Sequence, residues 1–282
     1  ALWEHWLRQA LRSTAHRRRH PEAFYRGWRL VAIDGTQFSV SNTPQTAKEL
    51  VKASSRRAKA AFAKITACVL LEVGLHNPLA AAIGHCGQSE WQLSAQLLAQ
   101  LAKGCLLLVD RLYGCGAFAA LALDHCQKVG SHFLIRARSN IKVTVQRRFR
   151  DGSRLIEVPV YQPKTRRLLR TIVIREIWGQ VHRKGWRSEP LRLWTSLLDP
   201  TAAPARELLE LYGQRWEQEL YFRQMKLQLR RTALLQSHTV TTAAQEIALL
   251  ILASALVAHE RVHAAKGVAP VLRVSFAKVI EL

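Results

Sequence analysis

Acidic residues are scarce in this chain, which has 20 Asp and Glu against 42 Lys and Arg in 282 residues. The formal charge of +22 is far beyond what solubility alone requires. A neutral or basic binding partner is therefore disfavoured. The excess of cations favours a polyanion, and nucleic acid is the first class of polyanion to consider.

Paired cysteines are also missing. The five cysteines are odd in number and form no Cys-x-x-Cys pair, so neither a zinc site nor a disulfide framework is expected. We expect no signal peptide, and the longest apolar run, 247–258, is predicted to be too short to span a membrane. We therefore expect reduced thiols, a cytoplasmic protein and no membrane partner. Because the chain begins at Ala1 without an initiator Met, we also expect it to lack an upstream segment.

The first half of the chain predicts a mixed sheet with flanking helices. An apolar strand at 28–33 ends at Asp34-Gly35-Thr36, and 37–40 is predicted as its hairpin partner. A second strand, at 105–109, is apolar throughout, as in strands buried on both faces, and it ends at Asp110. The predicted order β-β-β-α-β-α-β places helices on both sides of these strands.

Residues 139–198 change character. Their apolar and polar residues alternate with period two, and they are rich in Arg, which predicts an antiparallel β insertion. Asp199-Pro200 is then predicted to begin a long helix, because Asp caps helices and Pro is tolerated at the first helical position. A last apolar helix is predicted at about 242–263.

The long helix carries an unusual set of ionic residues. At 100° per residue, Tyr212, Arg215, Glu219 and Lys226 fall within an arc of about 60° on the side that also carries leucines. Arg223 and Arg230 lie close to that arc, whereas the opposite, solvated face is predicted to hold residues such as Glu217 and Gln224. A carboxylate that points inward needs partners or a metal ion.

Three carboxylates share a matching context. Asp34 and Asp110 each follow an apolar strand, and Glu219 lies on the inward face of the helix. Such a set can hold two divalent cations, which activate a water or a 3′ hydroxyl and stabilise the leaving oxygen of a phosphodiester. Mg²⁺ suits such a site because it prefers oxygen ligands.

These residues resemble the motifs of the DDE transposases of the insertion-sequence-4 family, which have a ribonuclease-H-like catalytic core. The matching features are Asp34-Gly35-Thr36, Asp110-Arg111-x-Tyr113, and a Tyr-x2-Arg-x3-Glu-x6-Lys signature. The resemblance covers about 28–260. The chain departs from the family pattern at Asn42, at Leu112 and in the basic loop near Arg57, but no predicted metal ligand is lost.

The resemblance implies that Asp34, Asp110 and Glu219 are catalytic and hold two Mg²⁺ ions, with Mn²⁺ able to substitute. It also implies that Tyr212, Arg215 and Lys226 bind phosphates at the transposon end, and Arg223 and Arg230 are predicted to join them. The expected partners are transposon ends, target DNA and a second copy of the chain in a synapse, in the nucleoid of a bacterium.

The predicted domain division follows from these elements. A helical segment occupies 1–27, the ribonuclease-H-like core occupies 28–138 and 199–263, the β insertion occupies 139–198, and a tail occupies 264–282.

Two other functions remain open. A nuclease on the same core would cut DNA without strand transfer, and a catalytically inactive, domesticated transposase would only bind DNA. The resemblance further implies that one tryptophan of the insertion stacks on a displaced base, and the sequence leaves Trp178, Trp186 and Trp194 as candidates. Tyr113 is predicted either to contact the site or only to pack beneath the end of its strand.

Overall fold

The computed structural model describes residues 2–54, 58–84, 88–162, 165–181, 189–230 and 232–281. Within it the chain divides into two compact units. The first unit comprises 1–25, 32–100 and 216–282, and the second comprises 26–31 and 101–215. The basic residues Arg56 and Arg57 and the candidate Trp186 lie outside the described residues. The domain boundaries given above stay a prediction.

Eight α-helices occur in the described chain. In order they are α1 (Leu2–Ala10), α2 (Pro44–Glu49), α3 (Glu90–Leu98), α4 (Gly116–Val129), α5 (Ala205–Tyr212), α6 (Trp216–Gln224), α7 (Val240–Ala265) and α8 (Phe276–Ile280). Short 3₁₀ turns occur at Pro21–Ala23, Arg111–Tyr113, Gly213–Arg215 and Val271–Arg273, and a π-helical turn at Met225–Leu229.

Ten strands form a mixed sheet, as predicted. In order they are β1 (Phe24–Tyr25), β2 (Trp28–Ser39), β3 (Lys64–Glu72), β4 (Asn77–Ile83), β5 (Cys105–Val109), β6 (His132–Arg136), β7 (Thr144–Arg148), β8 (Arg154–Tyr161), β9 (Leu168–Val181) and β10 (Glu189–Thr195).

In the first unit the strand order is β4-β3-β2, with β1 beside β2. Strands β3 and β4 are antiparallel, with Cys68 opposite Ala82. Apolar side chains of α1, β2, β3, α6 and α7 form one core, which includes Trp3, Phe38, Tyr221 and Ile247. Three described helices of this unit begin with the predicted or an equivalent capping box: α2 at Thr43 with Thr46, α3 at Ser89 with Gln92, and α7 at Thr239 with Thr242.

In the second unit the strand order is β5-β6-β10-β9-β8-β7. Strands β5 and β6 are parallel, and α4 connects them. All five residues of β5 are buried, as its continuous apolar run predicts. Strands β7 to β10 of the predicted insertion pair antiparallel with one another, and β10 extends the same ladder onto β6 with Trp194 opposite Ile135.

Several arginines of the insertion are structural. Arg175 is fully buried, and it donates to Asp151, to Ser153 Oγ at 2.8 Å and to the carbonyl of Ala203 at 2.6 Å. Buried charges need such complete pairing. The Arg content of the insertion therefore stabilises its fold in part and is not all available to DNA.

Two predicted elements are wrong in detail. Residues 37–40 do not form a hairpin partner for 28–33, because β2 runs without a turn from Trp28 to Ser39 and Asp34 lies inside it. Asp199 does not cap the long helix, because its carboxylate accepts from the backbone and hydroxyl of Thr201 in a preceding turn. The helix begins instead at Ala205, after Pro204.

Helix α7 is longer and more apolar than the predicted segment. By length and composition its 26 residues could cross a membrane, so the apolar segment is longer than the run 247–258 from which no span was expected. Half of its most apolar window is buried inside the protein, and Ala244, Ile247 and Ile251 pack in the core of the first unit. A core helix of a globular protein passes the same test, so α7 is weak support for a membrane partner.

Candidate active site

Asp34 lies in the middle of β2, after four buried residues at 30–33. Its side chain is partly exposed, and Oδ1 accepts a hydrogen bond from the backbone N–H of Gly35 at 2.9 Å. A Cβ on Gly35 would lie 2.4 Å from the side chain of Glu90, the first residue of α3. Because Gly35 has no side chain, the carboxylate of Glu90 can approach the backbone next to Asp34. Glu90 was not among the predicted site residues.

Asp110 directly follows β5 and occupies the N-cap position of the 3₁₀ turn Arg111–Tyr113. Aspartates are common there because their carboxylates accept from the turn, yet the side chain of Asp110 makes no capping hydrogen bond. The carboxylate is 35% exposed, and its Oδ1 lies 4.0 Å from Nε of Arg215. The carboxylate of Asp110 is therefore not used for capping, and it faces Arg215.

Tyr113, for which two roles were open, is fully buried and packs on Phe118 with ring centroids 4.9 Å apart. It supports the end of β5 from beneath. The next residue, Gly114, leaves no room for a side chain, because a Cβ there would lie 2.1 Å from the carbonyl oxygen of Arg136. The turn after Asp110 is thereby held close to β6.

Tyr212 and Arg215 lie in the same unit as Asp110. Tyr212 is the last residue of α5 and is 7% exposed, and its hydroxyl donates to the carbonyl of Val109 at 3.2 Å. Arg215 ends the 3₁₀ turn that follows and is 11% exposed. The first two residues of the helical signature therefore both contact the end of β5.

The single regular helix predicted for 212–226 is wrong in detail. The chain passes from α5 through a 3₁₀ turn into α6, and then into the π-helical turn Met225–Leu229. Because 3₁₀ and π turns advance by angles other than 100° per residue, the predicted 60° arc does not describe this segment. Glu217 and Gln224, assigned to the solvated face, instead contact the buried ring of His76, and Trp216 is 46% exposed.

Glu219 is partly buried on α6 and belongs to the first unit, together with Asp34. The structure therefore places two of the predicted metal ligands in one unit and Asp110 in the other. Within the described residues, no group of three or more His, Cys, Asp or Glu side chains is arranged to hold a metal ion.

Lys226 and Arg230 surround the buried ring of Phe38. Lys226 Nζ lies 5.2 Å and Arg230 Cζ 5.6 Å from the ring centroid, distances at which a cation interacts with an aromatic face. Burial lowers the pKa of Lys226, and the nearby charges of Arg230 and Lys64 lower it further. No carboxylate of the described chain forms an ion pair with Lys226 or Arg230. Arg223 is exposed.

The two described tryptophans of the insertion differ sharply. Trp194 is fully buried, whereas Trp178 is 45% exposed and lines a cavity of about 170 Å³ with Arg111, Arg136 and Arg192. Arg192 and Arg154 lie with Cζ 5.4 and 5.9 Å from the Trp178 ring centroid. Trp178 therefore presents an accessible ring in a basic pocket.

The buried carboxylate of Glu176 organises this pocket. It pairs with Arg154 and with Arg192 Nε, the latter at 2.5 Å, and accepts from Nε1 of Trp178 and of Trp194 at 3.0 and 3.2 Å. Burial raises the pKa of Glu176, but the hydrogen bonds and charges around it lower the pKa by more, so that it lies below its ordinary value. The sequence pattern gave no sign of this network, because its members lie on three different strands.

A mixed sheet with flanking helices is consistent with a ribonuclease-H-like fold. The family model described as Transposase DDE domain matches residues 25–257, and the chain belongs to this family. This confirms the DDE transposase family that the motifs predicted, and similarity to a transposase of an IS4 element is consistent with the predicted insertion-sequence-4 type.

The chain is similar to two known proteins, one in sequence and one in fold. It is 28% identical over 253 residues to the transposase InsG for insertion sequence element IS4 of Escherichia coli K12, a match that covers 87% of this chain and 55% of the relative. The chain thus spans about half the length of that relative. In fold it is similar to the piggyBac transposase in a synaptic complex with hairpin DNA, with a TM-score of 0.51, 11% identity, and coverage of 89% of this chain and 50% of the other.

Proposed function

We propose that this transposase cleaves DNA at the ends of its element and transfers the freed 3′ hydroxyl into target DNA. Membership of the family supports the general activity. The observation that carries the proposal is the state of Asp110, a strand-end carboxylate that makes no capping bond and faces the Arg of the helical signature. An aspartate kept only for structure would use its oxygens in the turn.

Asp34, Asp110 and Glu219 are the proposed ligands of two Mg²⁺ ions. The donor atoms fit in kind, because carboxylate oxygens are the protein ligands that Mg²⁺ prefers and Mn²⁺ would be accepted by the same ligands, although the described residues hold no group of three such side chains gathered for a metal ion. When bound, the ions supply a lowered pKa for the attacking water or hydroxyl and charge stabilisation for the leaving oxygen. Arg215 would then neutralise phosphate charge beside Asp110, where its planar fork suits a pair of phosphate oxygens.

The remaining signature residues would hold the transposon end. Tyr212 would fix the end of β5 through its bond to Val109 and so position Asp110. Lys226 and Arg230 are held near one another with no carboxylate of the described chain as a partner, which is unfavourable unless an anion binds. Phosphates of DNA would relieve this repulsion, and the exposed Arg223 would add a peripheral contact.

Trp178 is the proposed stacking residue for a displaced base. Its exposed ring offers an aromatic face beside Arg111, an exposed arginine that lines the same cavity and would bind phosphate, while the ring of Trp194 is enclosed in the core. The proposed assembly is a homodimer that brings two transposon ends together in the bacterial nucleoid. The activity of the whole protein is part of this proposal, because the chain spans only part of its relative.

Cleavage and strand-transfer assays on the terminal repeats of the element, with Mg²⁺ or Mn²⁺, test the proposal. Wild-type protein is expected to cut at the ends and join them to a target plasmid, whereas Asp110→Asn and Glu219→Gln should bind the ends without cutting. Cutting without joining would identify a nuclease. Binding without cutting by the wild type would identify a DNA-binding protein derived from a transposase.

A further inference from the structure

His76 occupies a demanding position in the first unit. It is the last residue of the turn between β3 and β4, and its ring is buried, with 2% of the residue exposed. Its backbone φ is +52°, in the left-handed region that residues other than glycine adopt infrequently. Glycine or asparagine would relieve the backbone, so the imidazole ring is the feature to be explained.

Both nitrogens of the ring contact α6. Nε2 lies 2.8 Å from Glu217 Oε2, and Nδ1 lies 2.9 Å from Gln224 Oε1. The N–H on Nε2 donates to the carboxylate of Glu217. The carboxamide of Gln224 can donate to Nδ1 or accept from it, because a flip of the amide exchanges its oxygen and its NH₂ group. The ring also packs edge-on against Tyr221, with centroids 6.3 Å apart.

The contacts of His76 span two turns of one face of α6. Glu217 and Gln224 are seven residues apart, so they lie almost in line along the helix. Glu219 follows Glu217 by two residues, about 200° around the axis, and therefore projects from the opposite face. Between these faces Gln218 is buried and its Nε2 donates to the carbonyl of Val69 in β3 at 2.8 Å.

We propose that His76 is a positioning residue that fixes the rotation of α6 and thereby the place where the Glu219 carboxylate meets a divalent cation. The proposal rests on the proposed function of Glu219. If α6 rotated by 10°, a carboxylate that lies about 6 Å from the helix axis would move by about 1 Å. A misplacement of that size can cost about 10²-fold in rate. A purely structural histidine would affect the amount of folded protein but not the rate of each folded molecule.

The test compares His76→Ala with His20→Ala. His20 is also a buried histidine of the first unit, but its ring accepts from the backbone of His16. For each variant we would measure the melting temperature, kcat and KM for cleavage of a terminal-repeat duplex, and the affinity for Mn²⁺ alone by electron paramagnetic resonance. We expect His76→Ala to lower kcat at least tenfold per folded molecule, to leave KM within twofold, and to weaken Mn²⁺ binding at least fivefold.

His20→Ala should lower the melting temperature without changing kcat or the Mn²⁺ affinity of the folded protein. If His76→Ala behaves in the same way, the positioning role is wrong. If His76→Ala does not fold, Gln224→Ala removes one of the two anchors and should lower kcat with KM unchanged; an unchanged kcat would overturn the inference. A wild type that neither cuts nor binds Mn²⁺ would overturn the proposed function, and this inference with it.

Discussion

Nε of Arg215 lies 4.0 Å from Oδ1 of Asp110, so the arginine of the helical signature approaches the carboxylate that follows β5. The sequence alone left open whether Arg215 binds phosphate or forms an ion pair that stabilises its helix. The observed partner is a predicted metal ligand, at the outer limit of ion-pair distance. An ion pair of this length, whose carboxylate is 35% exposed, contributes little to stability, which favours the phosphate-binding role.

We expect Arg215→Ala to destabilise the fold only moderately, by about 1–2 kcal/mol, because the long ion pair to Asp110 and the packing of a largely buried side-chain stem are lost. Cleavage of transposon ends should fall by about 10²-fold, because the phosphate beside Asp110 loses its positioning group. Arg206→Ala is the matched control, since Arg206 forms an exposed ion pair with Glu210 on α5. Thermal melts and cleavage rates of both variants distinguish a phosphate-binding role of Arg215 from a structural one. If Arg215→Ala is less stable but cleaves at the normal rate, Arg215 is structural.

Lys226→Met should have opposite effects on stability and on DNA binding. Removing a half-buried cation that lies near Arg230 and Lys64 relieves repulsion, so the free energy of unfolding should stay the same or rise by up to about 1 kcal/mol. DNA affinity should fall, and the slope of log K against log salt should become shallower by about one. Lys278→Met, at an exposed position of the same unit, should change neither quantity. A clear loss of stability in Lys226→Met would contradict the phosphate-binding role.

Glu176→Gln should reveal a carboxylate that stabilises the second unit in a pH-dependent way. Since the folded pKa of Glu176 lies below its ordinary value, its stabilising charge is fully present above the pKa of the unfolded state. That contribution is lost as the pH falls through the folded pKa. At pH 7 the variant should lose about 3 kcal/mol or more, because Arg192 and Arg154 are left near a neutral amide. Urea unfolding at a series of pH values should show wild type and variant converging in acid, and a gap that stays constant with pH would refute this account.

The elements that the sequence predicted well have local causes. Strand β5 follows from five consecutive apolar residues, and the start of α3 follows from Ser89 and Gln92, three positions apart, each bonding to the backbone of the other. Strand β2 was predicted to end early because Asp34-Gly35 is a common turn sequence. In the fold those residues stay extended, because β2 continues through them from Trp28 to Ser39.

The parts of the site that sequence could not predict depend on distant contacts. His76 and Glu217 are 141 positions apart, and no periodicity connects a hairpin turn with a helix so far along the chain. The 3₁₀ and π turns around α6 likewise change which residues face inward, although the apolar pattern of the segment is that of a regular helix. The motif residues were identifiable because their spacing is local, whereas the groups that orient them were not.

Trp178→Ala and Trp194→Ala should separate a DNA-contacting tryptophan from a structural one. Trp194 is fully buried, so its loss should cost about 3–5 kcal/mol and leave little folded protein. Trp178 is 45% exposed and gives up one hydrogen bond to Glu176 and its contacts with two arginines, so Trp178→Ala should cost only about 1 kcal/mol. Cleavage by Trp178→Ala should nevertheless fall about tenfold or more, since stacking on a base contributes about 1–3 kcal/mol.

Trp178→Phe keeps an aromatic face and loses the indole N–H, and it should recover most of the cleavage rate. If Trp178→Phe cleaves as poorly as Trp178→Ala, the indole acts through its bond to Glu176 and not by stacking on DNA.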